Sequence, residues 1–229
     1  DDFISNGGTI RKIEVDKLNP NILVAATSNG IYKTNNALAS NPIWTKVFNG
    51  LAASDKDFRA VKFKPNSSNT LYASSNNIFR STDGGTTWNS MTGPGTGLDF
   101  STLSPFEPFR INLAVTPANN NRLFAYIWGV KNGISTIYIY YYENNNWNQL
   151  YTQTAGHLAK EWLGFAVSPV NPNEYYFYGY MGVYGSKNLS SPSKKGDYTS
   201  NGTYADGHVL EFQPNTTSNP LLFFGHHGG

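Results

Sequence analysis

The stretch from residue 58 to residue 91, FRAVKFKPNSSNTLYASSNNIFRSTDGGTTWNSM, reads as one complete run of four short β-strands. The first segment alternates apolar and polar residues and ends at a Pro/Asn-rich turn. A continuous apolar segment follows that turn. A third segment, NIFRS, then leads into the glycine-rich turn before Trp88. Apolar side chains that recur with a period of two indicate a strand with one buried face. The stretch therefore predicts a four-stranded antiparallel sheet.

The first half of this pattern occurs five times along the chain. In each copy a pivot residue follows the first strand, and apolar side chains stand two and four positions before it. The pivots are Lys17, Pro65, Pro117, Pro169 and Pro214, which gives spacings of 48, 52, 52 and 45 residues. A proline just past a strand costs little hydrogen bonding. The apolar pairs, which we expect to be buried, are Ile13/Val15, Val61/Phe63, Leu113/Val115, Phe165/Val167 and Leu210/Phe212.

Tandem four-stranded units of this length are typical of a β-propeller, so we predict an all-β fold built of four-stranded antiparallel blades. A β-sandwich with coincidental spacing is the alternative, and the five in-register pivots argue against it. The fifth unit carries only its first two strands. We therefore expect about four and a half blades of a larger ring of roughly six to eight. All of them belong to one propeller portion, 1–229, with units at 8–50, 57–92, 108–150, 161–204 and 206–229.

The turn at residues 81–88, STDGGTTW, matches the pattern S-x-D-x-G-x-T-W at every fixed position. It resembles the Asp-box, or BNR repeat, of sialidases, xyloglucanase-type glycoside hydrolases, sortilin-type receptors and many secreted bacterial propellers. In those families the box is structural and lies away from the substrate. The resemblance therefore implies a structural role for Ser81, Asp83, Gly85, Thr87 and Trp88.

The residues of the box suit a tight turn without reference to any family. Glycines tolerate positive φ, and Asp and Ser side chains accept backbone N–H groups of their own turn. The other units match the box less well. In the first, Thr34, Asn36 and Trp44 fill the Ser, Asp and Trp places. The third keeps only a short turn and Trp147, and in the fourth we expect no box.

The xyloglucanase-type hydrolases use two carboxylates, one as acid and one as base. The places that resemble their base read Ser28/Asn29 and Ser75/Asn76, so neither carries a carboxylate. Asp206, just before the first strand of the fifth unit, resembles their acid and is the weak catalytic candidate. The alternative is that Asp206 and Gly207 only form the turn into that strand. The absent base favours a protein that is not an enzyme.

Three side chains are candidates for ligand contact. They are His208, close to Asp206, and Tyr140 and Tyr142, which could offer a stacking surface to a sugar. Tyrosine in strands is more often half-buried packing, and that alternative is the stronger one. The four histidines show no ligand spacing and the chain has no cysteine, so we expect neither a metal site nor a cofactor.

The amino-acid composition limits the classes of partner that we expect this protein to bind. Charged residues make up 14% of the 229 residues and the net charge is +2, which gives no basis for binding nucleic acid. No apolar run reaches the roughly 18 residues that span a membrane. Together with the resemblance, this predicts a non-catalytic binding or interaction module of a secreted or cell-surface bacterial protein. Its ligand is a glycan or a protein, and it belongs to a larger polypeptide. The alternative is an Asp-box glycoside hydrolase with part of its active site outside this chain.

Overall fold

A computed structural model describes residues 8–103, 106–154, 164–179, 182–197, 207–214 and 218–226. The side chains of residues 106, 107, 109, 197, 207, 208 and 226 are not among those described. Within these ranges the chain forms eighteen strands and one short 3-10 turn, Ala53–Asp55. No helix in them has the length and apolar character needed to cross a membrane.

The first compact unit, Asp1–Asp99, holds two four-stranded sheets. In each sheet successive strands pair antiparallel, as the alternating pattern predicted. The strands of the first sheet are β1 (Ile10–Val15), β2 (Leu23–Thr27), β3 (Gly30–Thr34) and β4 (Thr45–Phe48). Those of the second are β5 (Ala60–Phe63), β6 (Leu71–Ser74), β7 (Ile78–Ser81) and β8 (Asn89–Ser90).

The second compact unit, Phe100–Gly229, holds three sheets with the same antiparallel order. The third sheet consists of β9 (Phe106–Thr116), β10 (Asn119–Lys131), β11 (Ile134–Glu143) and β12 (Asn146–Thr154). The fourth consists of β13 (Phe165–Val167), β14 (Tyr175–Gly179), β15 (Gly182–Ser186) and β16 (Ser193–Asp197). The fifth has two strands, β17 (Gly207–Phe212) and β18 (Leu222–His226).

The third sheet differs from the others in length. Its strands have 11, 13, 10 and 9 residues, whereas those of the first sheet have four to six. The extra residues run past both ends of the predicted unit 108–150. They carry the β10–β11 hairpin out to a turn at Asn132 and Gly133, both of which have positive φ.

In the first unit the core lies between the first and second sheets. Val24, Ala26 and Ile31 of the first sheet pack with residues of the second, among them Phe58 and Trp88. The second strand of each of these sheets is buried on both faces, Leu23–Thr27 in the first sheet and Leu71–Ser74 in the second, as expected for inner strands of a packed sheet.

One predicted burial is wrong. Ile13 and Val15 of β1 are 45% and 47% exposed, although the equivalent residues of β5, Val61 and Phe63, are buried. The neighbouring residue of β1, Glu14, turns toward the second sheet, where it pairs with Lys62. Ile13 and Val15 therefore lie on the opposite face. In the described part of this unit, no sheet packs against that face.

In the second unit a separate aromatic core joins the third and fourth sheets. Phe124 and Tyr126 of β10 pack with Tyr175 and Phe177 of β14. The Tyr126 hydroxyl donates a 2.7 Å hydrogen bond to the carbonyl oxygen of Tyr178, so its polar atom is satisfied inside the core. Burial raises the pKa of Tyr126 far above its usual range. This ring is therefore a fixed part of the frame and not an acid or base.

Candidate functional site

The turn between β7 and β8 is held together by its own side chains. The Ser81 hydroxyl donates to the Asp83 carboxylate at 2.8 Å and accepts the N–H of Gly85 at 2.8 Å. Asp83 in turn accepts the Thr87 N–H at 2.8 Å and the Thr87 hydroxyl at 2.6 Å. The side chains of Ser81, Asp83 and Thr87 therefore bond to one another and to backbone N–H groups of the motif, as expected for a structural turn.

Glycine and tryptophan complete this turn. Gly84 and Gly85 have φ of 72° and 96°, a region that residues with a Cβ rarely adopt. Trp88 is buried, donates its indole N–H to the Gly85 carbonyl at 2.9 Å and stacks on Phe48 at 5.1 Å between centroids. The motif thereby anchors the turn in the core of the first unit.

The Asp83 carboxylate is held ionised by this network. Its pKa is lowered to about 2, first by the hydrogen bond from the Thr87 hydroxyl, then by the Thr87 N–H and the Ser81 hydroxyl. A carboxylate with so low a pKa carries no proton to donate near neutral pH. Asp83 is therefore not suited to general acid catalysis.

The same network predicts a pH dependence of stability. Because the folded-state pKa is depressed, the contribution of Asp83 is present above its ordinary value of 3.8. It is lost as the pH falls toward about 2. We expect Asp83→Asn to be less stable than the wild type at pH 5 and to approach it at pH 2. Urea unfolding followed at both pH values measures this, and a pH-independent difference would contradict it.

The structure contains more copies of the turn than the sequence predicted. In the first sheet, Thr34 donates to the Asn36 side chain at 2.8 Å, as expected. In the fourth sheet, where we predicted no box, Ser186 donates to Asn188 at 3.0 Å and Asn188 accepts the Ser190 hydroxyl at 2.6 Å. The box itself is absent there, as predicted, but the turn has similar hydrogen bonds, with Asn188 in the place of the aspartate.

A shared backbone hydrogen bond shows that the three turns are equivalent. The residue after the Asp or Asn donates its N–H to a carbonyl of the preceding β-turn in the same sheet. The pairs are Ala37 to Asn21 at 2.9 Å, Gly84 to Asn69 at 2.8 Å and Leu189 to Asn173 at 2.9 Å. Leu189 has φ of 57°, so it adopts the conformation of Gly84 despite its side chain.

In the third sheet an ion-pair network stands where the box would be. Arg122 donates to Glu143 at 2.8 Å and to the Pro172 carbonyl and the Asn173 side chain at 2.8 and 2.7 Å. The hydrogen bond from Arg122 is the main reason that the pKa of Glu143 is lowered. The adjoining turn has two residues, Asn144 and Asn145, with φ of 52° and 61°. Such a pair fits a two-residue β-hairpin.

The other predicted site residues stay predictions. Asp206 lies outside the described residues, and His208 lies on β17, where its side chain is not described. Tyr140 is 3% exposed, and burial raises its pKa to about 12. Its hydroxyl donates to Gln149 at 2.8 Å, which matches the packing interpretation. Tyr142 is half-buried and packs against Trp147 at 5.2 Å.

One charged cluster was missed by the sequence reasoning. Asp57 accepts hydrogen bonds from Arg59 at 2.7 Å and from Arg11 at 3.1 and 3.4 Å. Asp57 lies eight residues before Pro65, the pivot of its unit. Asp206 lies eight residues before Pro214, the pivot of the fifth unit. Arg11 and Arg59 each stand six before theirs. An alignment of the units on their pivots would have found all three.

A β-bulge contributes to this geometry. The pairing of β1 with β2 shifts between Ile10 and Lys12, so Arg11 is the extra residue. Bulges redirect side chains, and here the guanidinium of Arg11 reaches across to the second sheet. The cluster carries two positive charges and one negative charge, and its side chains are each about a third exposed. Its guanidinium groups retain donors for an anionic group.

The described residues hold no group of three or more His, Cys, Asp or Glu side chains that could bind a metal ion. Arg11 and Arg59, together with the Asp57 carboxylate that they share, form a charged cluster that we call the arginine cluster.

Comparison with known proteins bears on the fold. The chain superposes on an ancestral GH74 enzyme with a TM-score of 0.63, at 16% identity over 96% of this chain and 35% of the enzyme. The fold is a β-propeller of four-stranded antiparallel blades. Among the described residues, four sheets are complete four-stranded blades and the fifth has two strands. The chain spans about a third of the length of the GH74 enzyme.

Two further structures are more distant. The first is YCF48 bound to D1 peptide, with a TM-score of 0.41, 11% identity and coverage of 96% of this chain and 76% of that one. The second is YCF48 from Cyanidioschyzon merolae, with a TM-score of 0.36, 12% identity and coverage of 83% and 70%. No family model matches the sequence, and no curated protein matches it.

Proposed function

We propose that this propeller is a non-catalytic binding module that engages an anionic group on a glycan or a protein through the arginine cluster. The observation that carries the proposal is the imbalance of charge around Asp57. Two guanidinium groups share one carboxylate, at side chains that are partly open to solvent. Two exposed lysines add positive charge: Lys12, which follows Arg11 in sequence, and Lys56, which precedes Asp57.

The arrangement supports binding better than proton transfer. Both oxygens of Asp57 already accept hydrogen bonds from arginine. Hydrolysis of glycosidic bonds needs two carboxyl groups roughly 5–10 Å apart across one cleft. The hydrogen bonds of the two arginine side chains reach a single carboxylate, that of Asp57. Arginine, in contrast, binds carboxylate and sulfate groups in a geometry that its planar donors favour.

We further propose that the module is part of a larger secreted or cell-surface bacterial protein. The chain spans 35% of the GH74 enzyme on which it superposes, so the propeller fold can extend beyond this length. Low charge, an absence of cysteine and a surface rich in Asn, Ser, Thr and Tyr suit a secreted bacterial protein.

The arginine cluster predicts a loss of binding upon mutation. We expect the double variant Arg11→Ala/Arg59→Ala to bind an anionic ligand about 10- to 100-fold more weakly, since charge-assisted hydrogen bonds are lost. The protein is first screened against neutral, uronate-bearing and sulfated glycans and against acidic peptides. Affinity for the best ligand is then measured by calorimetry at two salt concentrations.

Arg80→Ala is the matched control, because Arg80 is partly exposed in the same unit and lies outside the cluster. It should leave affinity within about twofold, since surface charges outside a site contribute little. Selective binding of neutral ligands, or equal effects of the two variants, would contradict the proposal.

A glycoside hydrolase remains the second candidate, because Asp57 and Asp206 occupy the same place in two units. Its test is incubation with xyloglucan and related glucans, followed by measurement of new reducing ends. Hydrolysis that Asp206→Ala abolishes would establish this function in place of the binding module.

A further inference from the structure

The connection between the first two sheets contains a buried carboxylate that is not part of the arginine cluster. Asp55 ends the short 3-10 turn of this connection and is 1% exposed. Its two oxygens accept three hydrogen bonds, from the Ala52 N–H at 3.0 Å, the Ser75 hydroxyl at 3.2 Å and the Asn77 side-chain amide at 3.1 Å. Burial of a carboxylate is costly unless donors compensate it, so these bonds hold Asp55 in one place.

These contacts tie the connection to the second sheet. Two of the donors to Asp55 belong to the turn between β6 and β7, and Asn76 of the same turn donates to the Ser54 carbonyl at 3.3 Å. Gly50 packs closely on Asp55, since a Cβ added to the glycine would lie 2.5 Å from the aspartate Cβ. Asp55 is therefore enclosed and offers no oxygen atom to a ligand.

The residues on either side of Asp57 are tied to the first sheet. The Lys56 carbonyl accepts the Gly30 N–H at 2.9 Å, and Phe58 donates its own N–H to the Thr27 carbonyl at 2.9 Å. The Phe58 ring is fully buried in the core of the unit. Asp57 therefore lies in a stretch of chain that is held by the second sheet two residues earlier and by the first sheet on both sides.

The ion pairs of Asp57 depend on this double attachment. Arg11 reaches the carboxylate from the first sheet at 3.1 Å, and Arg59 reaches it from the second at 2.7 Å. Hydrogen bonds weaken steeply with distance and angle, so both arginines bond to one carboxylate only when it keeps a fixed position relative to both sheets. Partly exposed ion pairs contribute too little to fix the main chain by themselves. The position of Asp57 is therefore set by the main chain, which Asp55 anchors.

We propose that Asp55 is a positioning residue, whose hydrogen bonds place Asp57 between Arg11 and Arg59 and so preorganise the arginine cluster for an anionic group. The last step of this inference rests on the proposed binding function. A cluster that is ordered before the ligand arrives loses less conformational freedom upon binding. Asp55 thereby raises the affinity without touching the ligand.

Hydrogen exchange of the Arg11 Nε–H, followed by NMR, tests the positioning without any ligand. This N–H donates to Asp57, so its exchange is slow while the pair is formed. We expect the proton to exchange about three- to tenfold faster in Asp55→Ala, because Asp57 no longer keeps its place. Gly50→Ala should act in the same direction, since its Cβ displaces Asp55 while every donor and acceptor is retained.

Asp16→Ala is the matched control for a general loss of stability. Asp16 is a second buried aspartate of the same unit, 2% exposed, and it accepts the Leu18 N–H at 2.8 Å. It follows the last residue of β1, whereas Arg11 lies near the first. Because the two sites are far apart, exchange of the Arg11 Nε–H should stay within about twofold of the wild type.

Asp55→Asn keeps the side-chain volume and replaces one acceptor oxygen with a donor. It takes the place of Asp55→Ala if that variant does not fold, which circular dichroism shows. Unchanged exchange of the Arg11 Nε–H in a folded Asp55 variant would overturn the proposal. So would an equal rise in Asp16→Ala, because loss of stability alone would then explain the result.

Titration with inorganic sulfate, followed by the NMR shift of the same proton, tests the last step separately. We expect Asp55→Ala to bind sulfate about three- to tenfold more weakly than the wild type, since its cluster is no longer preorganised. Equal affinity of the two proteins would overturn that step. A wild type that binds no anion would overturn the proposed function and this step with it, whereas the exchange measurement would still decide whether Asp55 positions Asp57.

Discussion

Replacing Trp88 with alanine is expected to lower the free energy of unfolding of the first unit by about 3–5 kcal/mol. The indole is buried and stacks on Phe48 in the core between the first two sheets. Its removal leaves a large cavity and an unpaired Gly85 carbonyl. Both effects act in the folded state only, so unfolding becomes easier.

Two further variants separate the contribution of the indole N–H hydrogen bond from that of the buried apolar volume. Trp88→Phe keeps most of the apolar volume and loses only the indole N–H bond to Gly85, so we expect a cost of about 1–3 kcal/mol. Trp44→Ala removes the equivalent tryptophan of the first sheet, which is only partly buried against Ala25 and Tyr32. Its cost should be clearly smaller than that of Trp88→Ala.

Urea unfolding followed by circular dichroism measures all three variants. If Trp88→Ala costs no more than Trp44→Ala, then the turn at residues 81–88 does not anchor this core. The turn would then have to be explained by another role.

Replacing Arg122 with alanine is expected to destabilise the second unit by about 3–5 kcal/mol. Arg122 is 8% exposed, and its guanidinium bonds to Glu143, Pro172 and Asn173 and lies over the Tyr141 ring at 5.3 Å. These contacts join the third sheet to the β13–β14 turn of the fourth. Without Arg122, the Glu143 carboxylate keeps the 2.7 Å bond from Asn119 and loses its cation.

Lysine at this position tests the role of geometry. Arg122→Lys retains the charge but lacks the planar fork that reaches three acceptors, so we expect an intermediate loss. Lys187→Ala is the matched control in the same unit. Its ion pair with Glu174 spans 3.8 Å and the lysine side chain is 73% exposed, so removal should cost less than about 1 kcal/mol.

Thermal and urea unfolding at neutral pH measure these differences. A further comparison uses Arg122→Ala/Glu143→Gln, which removes the uncompensated charge and should recover part of the loss. A cost for Arg122→Ala as small as that for Lys187→Ala would show that the network does not join the two sheets.

Much of the fold was predictable because it depends on local chemistry that repeats. Apolar residues with a period of two set the strands, and Pro/Asn turns set their ends. The turn at 81–88 was predictable in detail, since the hydrogen bonds of Ser81 and Asp83 join residues no more than four apart. The degenerate turn at Ser186 and Asn188 was not, because Asn188 can replace an aspartate without leaving a recognisable motif.

Burial and the candidate site depended on contacts that sequence does not display. Ile13 and Val15 have the same pattern as Val61 and Phe63, yet only the second pair is covered by a neighbouring sheet. The two arginines around Asp57 come from different sheets, and a bulge at Arg11 brings one of them there. No spacing within a single unit indicates that meeting.

By itself the sequence determined that the chain forms tandem four-stranded sheets with a tight turn at residues 81–88, because strand periodicity and tight turns are properties of neighbouring residues. Only the tertiary structure determined which faces of the sheets are covered and which charges meet around Asp57 and Arg122. Those features depend on which sheet lies beside which, and residues about 50 positions apart in sequence meet only after the sheets have packed.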